Sequence, residues 1–129
     1  MVRVLVIGYA PDAVDFTDPA IPPGADAAKV EAGLQRDLQL MRERGWQPVH
    51  LSIRPDEDLE QHISTHLQDN YYDCIVIGAG VRVTTKHVPE FEKVINAVKQ
   101  SAPKTPIAFN SGPDTSGDAA ARWLRPQDR

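Results

Sequence analysis

Apolar residues follow two different patterns along this chain. Residues 2–7 (Val2-Arg3-Val4-Leu5-Val6-Ile7) and 73–77 (Asp73-Cys74-Ile75-Val76-Ile77) are nearly continuous β-branched runs, closed by Gly8 and Gly78. Runs that do not alternate belong to strands covered on both faces, as in parallel sheets. Residues 47–53 alternate instead, with Val49, Leu51 and Ile53 on one side and His50 and Ser52 on the other, which predicts a more exposed edge strand. Residues 105–109 predict a short fourth strand. Between these runs the spacing changes to three and four. Ala27, Val30, Leu34, Leu38 and Met41 predict a long helix from Asp26 to a stop at Gly45. Leu59, Ile63 and Leu67 predict a second helix over 56–69, led by the acids Asp56, Glu57 and Asp58, which suit the positive end of the helix dipole. Pro89 opens a third, with Phe91, Val94, Ile95 and Val98 inward. A short last helix covers 117–124, with Thr115 and Asp118 spaced as a capping box.

Strict strand–helix alternation requires crossover connections, and these are right-handed in nearly all cases. The predicted fold is a three-layer α/β/α domain over residues 1–125. Its short parallel sheet has four strands in the flavodoxin-like order 2-1-3-4, and residues 126–129 form a frayed tail. The second and third helices share one face of the sheet. The first helix covers the other, helped by the short last helix with Trp123 and Leu124. Ligands of open α/β sheets bind at the carboxyl ends of the strands where the order reverses, here between the first and third strands.

A formal charge of -4 over 129 residues, with only 6% aromatics, argues against a nucleic-acid surface or an anionic membrane as partner. No run of about 18 apolar residues is present to span a membrane. The apolar start is too short for an export signal, and the single cysteine, Cys74, falls inside a buried run, so a reducing, cytoplasmic setting is expected.

Candidate chemistry lies in three loops. No acid occurs from Cys74 to Pro89, and Arg82, Lys86 and His87 make that loop a candidate anion grip. The facing loop carries Asp12, Asp15 and Asp18, so mutual neutralisation of the two loops is the competing reading. Residues 9–24 form a long, proline-stiffened loop, a lid or subunit arm with Tyr9, Phe16 and Ile21 as candidate contact residues. Asn110, Ser111, Thr115 and Ser116 belong to a glycine- and hydroxyl-rich turn that has the makings of a backbone nest for an anion, or simply of a helix cap.

No cofactor motif is complete. Gly78-Ala79-Gly80-Val81-Arg82-Val83 lacks the third glycine of a dinucleotide fingerprint, and its glycines are expected to serve a tight turn with positive φ, with no helix before Pro89. The receiver-domain acids, a flavin phosphate loop and a cobalamin histidine motif are all missing from the strand ends. His62 and His66 share a helix edge without further ligands, so no metal is assigned. Three functional readings remain: a site for a small anionic molecule, a homodimeric assembly module, and an enzyme using His87 as acid or base.

Overall fold

The computed structural model describes every residue except Ala20, Thr85, Pro113 and Arg129. Four strands, β1 (Arg3–Tyr9), β2 (Gln47–Ile53), β3 (Cys74–Ile77) and β4 (Ile107–Phe109), form one sheet in the order β2-β1-β3-β4. Every pair is parallel, and Ile7 registers with Leu51 on one side and Ile77 on the other. Helices α1 (Ala27–Glu43), α2 (Leu59–Gln68), α4 (Val88–Ser101) and α5 (Ser116–Ala121) make the crossovers and the final cover. No described helix is long and apolar enough to cross a membrane.

The continuous runs are buried on both faces because alternate residues feed two cores. Leu5, Ile7, Ile75 and Ile77 pack with Leu59, Ile63, Val94 and Val98 beneath α2 and α4. Val4, Val6, Cys74 and Val76 pack on the opposite face with Leu38 and Met41 of α1 and Ala119 and Ala120 of α5. The thin second face is completed within the chain by Trp46 and Leu124, while Trp123 stays 58% exposed. Burial pushes the Cys74 thiol up to about 12, so it behaves as a small apolar side chain.

Several local details depart from the sequence pattern. The second helix starts at Leu59, three residues later than expected, because the Asp58 carboxylate accepts from Gln61 N at 3.1 Å and so fixes the start. Gly78 leads directly into an unanticipated one-turn helix, α3 (Ala79–Arg82). The glycines of that turn do not use positive φ. Gly24 and Gly45 do, at +83° and +84°, and Gly45 closes α1 as expected. Gly78 is needed for closeness instead, because a Cβ there would lie 3.3 Å from the Ile7 carbonyl oxygen. The Thr115–Asp118 capping box does not form: the Thr115 hydroxyl is drawn back into its own loop, and Asp118 pairs with Arg44 at 2.6 Å. Pro126–Asp128 forms a 3-10 turn.

Candidate functional site

The strand ends at the switch point open into a cleft of about 680 Å³, a size typical of small-molecule sites. Gly8 lies one residue before the end of β1 and Gly78 follows β3, so the floor between them is backbone. Val6, Val30 and Leu34 supply an apolar wall, and Ile21, Pro22, Pro23 and Gly24 of the long loop supply another. That loop is pinned to the body by Arg54 on Asp12 at 2.9 Å and by Lys86 on Asp15 at 2.8 Å. Lys29 Nζ also donates to the Gly24 carbonyl at 2.8 Å.

Polar groups enter this slot at a few points. Arg82 lines it, donating from Nη2 to the Asn110 carbonyl at 3.1 Å, with its guanidinium 5.9 Å from the Phe109 ring centroid. Asn110 is buried and ties three elements together. Its Oδ1 accepts from Ala79 N at 2.7 Å, and its Nδ2 donates to Ser116 Oγ at 3.0 Å. Ser116 N in turn donates to Asp37 Oδ1 at 3.1 Å, so a carboxylate from α1 serves the first residue of α5 in place of its own cap. Ser111 and Gly112 line the cleft, but the nest they form is already filled: both amides donate to Thr115 Oγ1, at 3.0 and 3.1 Å.

The predicted site residues therefore divide. Arg82, Asn110 and Ser111 reach the cleft together with Tyr9 and Ile21. Thr115 and Ser116 stand behind it as supports. Lys86 and His87 are not among its lining residues. The hydrogen bond to Asp15 raises the Lys86 ammonium's pKa and, with Thr17, holds the Asp15 carboxyl well below the usual range. That pairing sets one cation of the basic loop against one acid of the facing loop, while Asp12 pairs with Arg54. His87 Nδ1 faces Glu90 at 3.6 Å and its ring meets Tyr9 edge-on at 5.6 Å. Burial and, secondarily, Glu90 push the Tyr9 hydroxyl up to about 12. Phe16 is half-buried and does not line the cleft. On α2, His62 pairs with Glu57 and His66 Nε2 lies 2.7 Å from the Tyr72 hydroxyl. Among the described residues no group of three or more His, Cys, Asp or Glu could hold a metal.

Three ionisable lining residues were not among the predicted site residues: Lys29, Asp37 and His50. Asp37 had a legible signal, since it occupies the apolar stripe of α1 three residues after Leu34 and four before Met41. It is 2% exposed, and burial raises its pKa against the hydrogen bonds from Ser116. A carboxyl raised in the folded state contributes stability below the unfolded value, about 3.9, and loses it as pH rises through the folded value. Asp37→Asn keeps the acceptor for Ser116 N. It is expected to remove that part of the pH dependence and to raise the melting temperature at neutral pH, as thermal unfolding across pH will show. His50 faces the same cleft from β2, and burial lowers its pKa against an opposing effect of Glu31. Its polar character had marked the solvent side of the edge strand; the side it marks is the cleft.

No family model matches the chain, and no curated protein matches it significantly.

Proposed function

We propose that the chain binds a small molecule with an apolar body and one anionic group in the cleft between the ends of β1 and β3. One observation carries this reading. The slot is mostly apolar, yet two cations, Lys29 and Arg82, line it with no carboxylate paired to either among the described residues. Cations without counter-charges at the rim of an apolar cleft favour an anionic guest, and a cleft of this size accepts an organic body beside it. The internally filled nest at Ser111 and Gly112 leaves the side-chain cations as the recognition groups.

A thermal-shift screen of aromatic and aliphatic carboxylates and phosphate monoesters tests the reading. A ligand present at a hundred times its dissociation constant stabilises by about 2.7 kcal/mol, a readily measured shift. Arg82→Ala and Lys29→Ala are each expected to weaken binding about tenfold or more, since a charge-assisted hydrogen bond contributes about 1.5–3 kcal/mol. No shift at millimolar ligand, or shifts unchanged in both variants, would overturn it.

The homodimer reading draws on exposed Trp123, Val88 and Phe109, at 58%, 56% and 38%. Light scattering decides it: a concentration-independent monomer removes it.

A further inference from the structure

The anion-binding reading leaves one cleft residue without a role, and the inference that follows rests on that reading. His50 leans from β2 over the end of β1. Its Nδ1 lies 3.1 Å from Ser52 Oγ, while no hydrogen bond engages Nε2 among the described residues. A Cβ on Gly8 would fall 3.2 Å from that Nε2, closer than ordinary contact. Glycine at position 8 thus leaves the ring its place and sets Nε2 beside bare backbone at the cleft floor. An imidazole anchored at one nitrogen presents the other in a fixed direction.

We propose that His50 is a ligand-binding residue: its Nε2 donates to the ligand's anionic group, and the ring takes up a proton from solvent as the ligand binds. The surroundings of the ring set the sign. β1 offers only the Gly8 backbone, and β2 offers uncharged Ser52. From α1, Glu31 favours the imidazolium, while Lys29 and Asp37 line the same cleft; Arg82 enters it from α3. In the free protein, burial lowers the ring's pKa against the opposing effect of Glu31 and so favours the neutral form. A bound anion neutralises Lys29 and Arg82 and pairs with the ring, so each change favours protonation. Among the described residues, Asp37 is the one other group lining the cleft that is able to accept the proton, so the test must separate the two.

Benzoate and benzenesulfonate serve as probes because neither titrates between about pH 5.5 and 8, the range of histidine. Calorimetry in buffers of different ionisation enthalpy counts the protons taken up. Uptake approaching one per probe is expected, with affinity falling up to tenfold per pH unit as pH rises between the free and bound His50 values. His50→Gln, which keeps a polar side chain but cannot titrate, is expected to bind more weakly and without pH dependence. Asp37→Asn is expected to retain the uptake. In the wild type, the His50 imidazole resonance should titrate at higher pH when benzenesulfonate saturates the cleft. Binding without proton uptake, an unmoved His50 titration, or uptake that survives in His50→Gln and disappears in Asp37→Asn would overturn the proposal while leaving anion binding intact. If neither probe binds at millimolar concentration, the anion-binding reading is overturned and this proposal with it.

Discussion

Ile7→Ala is expected to lower the free energy of unfolding by about 2–5 kcal/mol, the range for deleting a buried aliphatic side chain and leaving a cavity. Ile7 has no solvent exposure and registers with Leu51 and Ile77 on its two sides. It sits in the core where β1 meets α2 and α4, so both neighbouring strands and both helices lose contact with the removed atoms. Domains of this size are stable by about 5–15 kcal/mol, so the loss takes a large share of the total. Urea unfolding should show the midpoint falling with an unchanged slope, because the surface exposed on unfolding stays the same. A loss below about 1 kcal/mol would mean that β1 is not the doubly covered strand described here.

Asn110→Ala is expected to cost about 2–4 kcal/mol and to abolish binding in the cleft, although Asn110 is one small polar residue. Its amide satisfies Ala79 N at one end and Ser116 Oγ at the other, and it is 6% exposed. Truncation leaves a part-buried N–H and a buried hydroxyl lacking those partners, at up to about 1–3 kcal/mol each. The first residue of α3 and the first residue of α5 are then no longer referenced to the end of β4. Arg82, at the close of α3, loses its fixed place at the cleft. Chemical unfolding measures the first effect and probe titration the second. Full binding in a destabilised Asn110→Ala variant would show that the amide supports the fold but does not shape the site.

The central strands were legible because burial on both faces leaves a continuous apolar run, a signal contained within residues 2–7 and 73–77 themselves. The long helices were legible because Leu34, Leu38 and Met41, or Val94 and Val98, repeat at helical spacing over several turns. α3 was not, since four residues are too few to show a period, and its start depends on Asn110 meeting Ala79 N from 31 positions away. The site was half legible. Its location follows from strand order, and Arg82, Asn110 and Ser111 follow from lying just past strand ends. Lys86 and His87 lie in the same loop as Arg82, but the chain turns them toward Asp15 and Glu90, a choice made by tertiary partners. His50 was assigned to the wet side of β2 because alternation distinguishes two faces without saying that one of them lines a cleft.

The strand order has a consequence for the nascent chain. β1 is made first, yet one edge finds its partner only when residues 47–53 have emerged and the other only with residues 74–77. Throughout that interval a short, uncharged β-branched segment from Val4 to Ile7 carries at least one open edge, the kind of segment that pairs with copies of itself. The arrangement that gives the finished sheet its bare floor at Gly8 and Gly78 therefore leaves β1 with an open edge in any partial chain that lacks β3.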